Sequence, residues 1–183
     1  MFFLRRSNLE RLPVAMSGVR MGERALQIGI DDPAIAGAIA AKVGLSGHAA
    51  MALGDEQSAE RARAAAATAG ILVDAQVTAL NSLPFDDESF DLVVVHAAAG
   101  AIASLDSADS VAMLRDSLRV LRRGGRIVVI GAGARRGVGT WLRRPRLNTE
   151  PGRASAALSA AGFKAARLLA EREGYRFIEG LKT

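Results

Sequence analysis

The chain has 183 residues, half of them hydrophobic, with 24 lysines and arginines against 19 aspartates and glutamates, a net charge of +5, no cysteine and two histidines. That length suits one domain with a single core, burying roughly 70% of its unfolded surface without help from a disulfide or a metal. The absent thiols and the two histidines, His48 and His96, exclude thiolate zinc sites and histidine clusters, while the positive balance favours anions in general and names no partner.

Met1-Phe2-Phe3-Leu4 is apolar for only four residues before Arg5 and Arg6, the reverse of the order in a secretory signal. Nowhere does the sequence approach the ~20 consecutive apolar residues of a membrane span. A soluble, cytoplasmic chain is expected. Residues 1–17 are expected to be a helical arm interrupted at Pro13, ahead of one domain over residues 18–183.

Ala25-Leu26-Gln27-Ile28-Gly29-Ile30 is a short apolar run, after which Ile35, Ile39 and Val43 take up helical spacing. This is a buried strand turning into a helix that closes near Gly44. Asp32 suits the helix N-cap, and Pro33 the first helical position, where its missing N–H leaves no donor unpaired. A second strand is expected over 48–53, a helix over 55–69 stopped by Gly70, and a third strand over 71–79. Phe90-Asp91-Leu92-Val93-Val94-Val95 reads as a strand buried on both faces. Val111, Leu114, Leu118 and Leu121 mark the core face of a helix ending at Gly124-Gly125, and Arg126-Ile127-Val128-Val129-Ile130 a further strand.

Residues 131–152 lack periodicity and carry Arg135, Arg136, Arg143, Arg144 and Arg146 around Trp141. Three readings stand: a solvated connection, an anion-binding lid, and a nucleic-acid or membrane contact. A helix over 153–161 and a hairpin of 163–170 with 175–181 follow. Strands alternating with helices at this spacing imply right-handed crossovers and a doubly wound sheet.

Leu83-Pro84-Phe85 with Ser89-Phe90-Asp91, the run from Leu118 through Arg119, Arg122 and Arg123 to Gly124-Gly125-Arg126, and Ala161-Gly162-Phe163 stand in a telling order. On these motifs the chain resembles the class I S-adenosylmethionine-dependent methyltransferases, in particular their small-molecule type 11 branch. The resemblance implies a Rossmann-like α/β fold, a doubly wound seven-stranded sheet that is mostly parallel with a C-terminal antiparallel hairpin. It implies S-adenosylmethionine as cofactor and methyl transfer to a small-molecule substrate.

The family's first strand carries an acid followed by a glycine loop. Here Gln27 stands for the acid, Gly29 remains, and Asp31 and Pro33 stand where glycines belong. The family's second strand ends in a carboxylate that accepts from both ribose hydroxyls. Ungapped counting places Leu53 there, and a two-residue slip brings up Asp55. The acid that meets the adenine amino group maps to Ala79, with Asn81 close enough to substitute. Contacts to the cofactor are therefore expected among Gly29, Asp31, Leu53, Asp55, Asn81 and Leu83, and no metal is expected. Asp31 and Asp32 would repel the methionine carboxylate and attract its ammonium.

His96, ending its strand, is the candidate general base, since imidazole titrates near neutrality. Its alternative is a packed, hydrogen-bonded histidine, and His48 is read as structural. Three functional readings remain open. One is a small-molecule methyltransferase with a remodelled cofactor site. Another is a methyltransferase fold that no longer transfers methyl groups and acts through protein contacts, in a homodimer or with a protein partner, or as a structural subunit. The third is an enzyme using the vacated, more apolar crevice for another ligand.

Overall fold

The computed structural model describes residues 11–98, 105, 107–133 and 151–183. In chain order these form α1 (Leu12–Met16), β1 (Arg24–Ile28), α2 (Pro33–Val43), β2 (His48–Leu53), α3 (Glu56–Thr68), β3 (Asp74–Val77), β4 (Phe90–Ala97), α4 (Ala108–Val120), β5 (Leu121–Ala132), α5 (Pro151–Ala161), β6 (Lys164–Arg172) and β7 (Tyr175–Leu181). The seven strands make one sheet in the order β3-β2-β1-β4-β5-β7-β6. All pairs from β3 to β5 are parallel, and β7 runs antiparallel to both β5 and β6. This is the expected doubly wound sheet with its antiparallel hairpin.

The two-residue period of the strands divides the core. Leu26, Ile28, Val93, Val95, Ile127 and Val129 face α4 and α5, where Met113, Leu114 and Leu158 meet them. Ala25, Met51, Leu53, Leu92, Val94, Val128 and Ile130 face the other way, against Ile35, Ile39 and Val43 of α2 and Ala59 and Ala62 of α3. Helix α2 packs tightly on α3. A Cβ on Gly37 would lie 2.8 Å from the Ala65 carbonyl oxygen, so a larger residue there forces the helices apart.

The motif residues prove to be a latch. Arg119 on α4 donates to the carbonyl oxygens of Leu83 and Phe85 and to the carboxyl groups of Asp87 and Asp116, while the Leu83 amide donates to Asp116. Burial works against charge on Asp116, but the hydrogen bonds from Arg119 and Leu83 more than offset it and hold its carboxyl below the usual range. Asp91 likewise gathers the amino ends of three strands, accepting from the Arg24 amide and pairing with Arg122. Arg119→Met is expected to cost about 2 kcal/mol, mainly from carbonyls and a carboxylate left short of donors. Urea denaturation at neutral pH measures this.

Several boundaries differ from the sequence reading. Helix α4 ends at Val120, not at Gly124-Gly125, because Leu121 is buried and pairs with Phe90, which draws it into β5. Strand β3 is only Asp74–Val77, a short edge. Pro13 opens α1 instead of interrupting a helix, and α5 begins at Pro151. The rest of the expected arm, residues 1–10, and the arginine-rich stretch 134–150 with Trp141 lie outside the described residues. No helix among the described residues is long and apolar enough to cross a membrane.

Candidate ligand crevice

In an open sheet of this kind, ligands bind beyond the carboxyl ends of the strands where the strand order reverses, here between β1 and β4. The turn after β1 bears on this place. Gly29 has φ 72°, a left-handed conformation that glycine adopts without steric cost, and its amide donates to the Ala52 carbonyl at 2.9 Å. Asp32 caps α2 by accepting from the Ala34 amide at 2.9 Å, as its position before Pro33 predicts. Its other oxygen meets Arg11 at 2.9 Å, which fastens the entry to α1 onto α2.

Asp31 reaches across the reversal. Its Oδ2 accepts from the Ala98 amide at 2.6 Å, joining the loop after β1 to the end of β4, while its Oδ1 is buried without a hydrogen-bond partner among the described residues. Beneath it, Gln27 and His96 bridge the same two strands. Gln27 Nε2 donates to the Ala36 carbonyl of α2 at 3.0 Å, which turns its Oε1 toward His96 Nε2, 2.9 Å away. With Oε1 as acceptor, His96 carries its proton on Nε2.

Both side chains are 1% exposed. Burial pushes the His96 pKa down from its ordinary value, and the nearby carboxyls of Asp31 and Asp32 pull it up without reversing the shift. The unfolded chain therefore takes up a proton below about pH 6.5 that the folded chain refuses until lower pH. Stability is expected to fall as pH drops below that value, by up to about 1.4 kcal/mol per unit, until the folded imidazole also titrates. His96→Gln, which keeps a partner for Gln27, is expected to flatten this slope between pH 6.5 and 4.5. Urea titrations across that range test it.

The other expected contacts are dispersed. Leu53 ends β2 fully buried within the α2 face of the core, with no acceptor to offer. Asp55 caps α3, its two oxygens accepting from the Ser58 amide and hydroxyl. These bonds hold its carboxyl below the usual range. Asn81 is exposed and donates to Asp109 at 3.3 Å. Leu83 belongs to the Arg119 latch, and His48 stacks on Phe90 with ring centroids 6.3 Å apart. Thus Gly29, Asp31 and His96 stand together at the reversal, while Asp55 and Asn81 are occupied elsewhere. Among the described residues no group of side chains could hold a metal ion.

The sequence reading missed the Gln27–His96 link. The signal was strand parity: Gln27 pairs with Val94, and His96 lies two residues further on the same face.

The profile of the methyltransferase domain family matches residues 35–129, just over half of the chain. The chain belongs to the methyltransferase domain family. The matched span of this methyltransferase-family chain begins downstream of the Gln27–Asp32 turn. A solved S-adenosylmethionine-dependent methyltransferase from Aquifex aeolicus is similar at TM-score 0.73 and 16% identity, covering 96% of this chain and 91% of that one. YcgJ from Bacillus subtilis is similar at TM-score 0.69 and 18% identity, covering 96% and 97%. PigF, solved with S-adenosylhomocysteine, is similar at 0.60 and 19%, covering 88% and 57%. At these identities the likeness shows the fold. No curated protein sequence matches.

The fold family implies S-adenosylmethionine, and the crevice residues do not fit it in the way the resemblance implies. The end of β2 offers a buried leucine where the ribose needs an acceptor. The Asp31 side chain and its bond to Ala98 occupy the gap between the β1 and β4 ends, where a glycine would leave space.

Proposed function

We propose that this chain is a non-catalytic member of the methyltransferase family, in which the cofactor crevice has been given over to joining the two halves of the sheet and the domain acts through its surface. The observation that carries this reading is the Asp31–Ala98 bond across the strand-order reversal. Leu53 at the ribose position and the buried Gln27–His96 pair support it. A fold of this kind hosts many activities, so family membership alone does not argue for methyl transfer.

A second reading, methyl transfer from a differently held S-adenosylmethionine to a small molecule, is favoured by one observation. Among the described residues Asp31 Oδ1 is a buried acceptor without a partner, and an ammonium group would satisfy it. Titration calorimetry with S-adenosylhomocysteine separates the two: absence of saturable heat at millimolar ligand is expected, and micromolar binding would overturn the non-catalytic reading.

A further inference from the structure

The three most exposed large apolar side chains among the described residues are Met21, Leu45 and Leu72, at 80%, 99% and 96%. They sit on three separate loops, before β1, between α2 and β2, and between α3 and β3. All three loops lie at the amino ends of the parallel strands, opposite the crevice. They share one face. A Cβ on Gly44 would touch Met21 Cγ at 3.3 Å, and Leu45 and Leu72 rim the same groove of about 730 Å³, floored by Ile71, Val73 and His48.

Charge completes the pattern. Exposed Arg20 adjoins Met21, and exposed Lys42 stands in the last turn of α2, three residues before Leu45. Among the described residues neither makes an ion pair. Of the carboxylates at this end, Glu23 pairs with Arg126 at 2.9 Å, Asp91 with Arg122, Asp87 with Arg119 at 2.7 Å and Glu88 with Lys182 at 3.4 Å, while Asp74, on the groove wall, accepts from the neutral Gln76 side-chain amide at 2.7 Å.

Single apolar side chains on separate loop tips do not make the continuous patch of roughly 800 Å² per partner that a stable protein interface uses. They do suit a bilayer surface, where each tip enters the acyl boundary and flanking cations meet anionic headgroups. We propose that this end of the molecule is a peripheral contact face for anionic lipid bilayers, with Met21, Leu45 and Leu72 inserting and Arg20 and Lys42 at the headgroup phosphates. The proposal is independent of what the crevice binds.

The test is co-sedimentation of the full chain with vesicles of phosphatidylglycerol and phosphatidylcholine in equal parts, and with phosphatidylcholine alone. Sedimentation with the anionic vesicles is expected. Leu45→Ser/Leu72→Ser should lower the partition coefficient by about tenfold or more, because two largely exposed leucines lose their apolar transfer. Arg20→Gln/Lys42→Gln should lower it by about tenfold on anionic vesicles only. All four substitutions are at exposed positions, and unchanged circular dichroism and melting temperature verify folding. Wild-type protein that stays in the supernatant with both vesicle types overturns the proposal, as does undiminished binding by the leucine variant. A dimer in light scattering that the leucine variant dissolves, with no vesicle binding, assigns the face to a second copy and also overturns it.

Discussion

Titrated with S-adenosylhomocysteine to millimolar concentration, the wild-type chain is expected to give no saturable heat. In the family to which it belongs, the resemblance places a carboxylate at the end of the second strand, accepting from both ribose hydroxyls. Leu53 occupies that place, fully buried. Hydrogen bonds to a charged acceptor contribute about 1.5–3 kcal/mol each, so losing two weakens binding by about 10²–10⁴-fold. The Asp31–Ala98 bond is expected to add a second obstacle, since it spans the β1 and β4 ends where such a ligand would sit.

Asp31→Gly gives the test a sign. If the carboxyl obstructs the crevice, its removal should strengthen whatever binding remains. If it grips a ligand ammonium, as the unpartnered Oδ1 allows, removal should weaken binding, and the non-catalytic reading would be abandoned.

Gln27→Leu is expected to cost about 3 kcal/mol, lowering the melting temperature by about 6–12 °C for a chain of this size. The replacement is close in volume, so the loss is polar. His96 Nε2–H loses its acceptor in a fully buried setting, and the Ala36 carbonyl loses the side-chain donor it has beyond its helical bond. Adding His96→Leu should recover part of the loss, because two apolar side chains facing each other leave no imidazole donor unpaired. A double-mutant cycle with urea denaturation measures this coupling. Strict additivity of the two substitutions would show that Gln27 and His96 do not support each other.

The sheet was readable because its strands are buried on both faces and announce themselves as apolar runs: Leu92 to Val95 and Ile127 to Ile130 have almost no exposed surface. The hairpin was readable from Gly174, whose φ of 78° the turn needs, and from the flanking strand residues. The end of α4 was not. Leu121 continues the helical spacing, and only its pairing with Phe90, distant in sequence, turns it into β5.

The crevice was legible by subtraction. Gln27, Asp31 and Leu53 could be recognised as departures from the family pattern, but not what they do instead. Asp31 bonds to the backbone amide of Ala98, a donor that every residue but proline carries and that therefore leaves no mark in a sequence. Asp55 was ambiguous between a ligand contact and a cap, because an aspartate before a helix suits either role. Its bonds to Ser58 show the cap.

The position of β7 has a consequence for biosynthesis. Tyr175–Leu181 lies between β5 and β6, although it follows both in the chain. While the polypeptide is being made, β5 has finished translation well before its neighbour exists, and the backbone of Ile127 to Ile130 has no partner along that edge. An unpaired edge of this kind is a template for association with other chains. The nascent protein thus presents an unpaired β5 edge in the interval between completing β5 and releasing β7, a window that chaperones would cover.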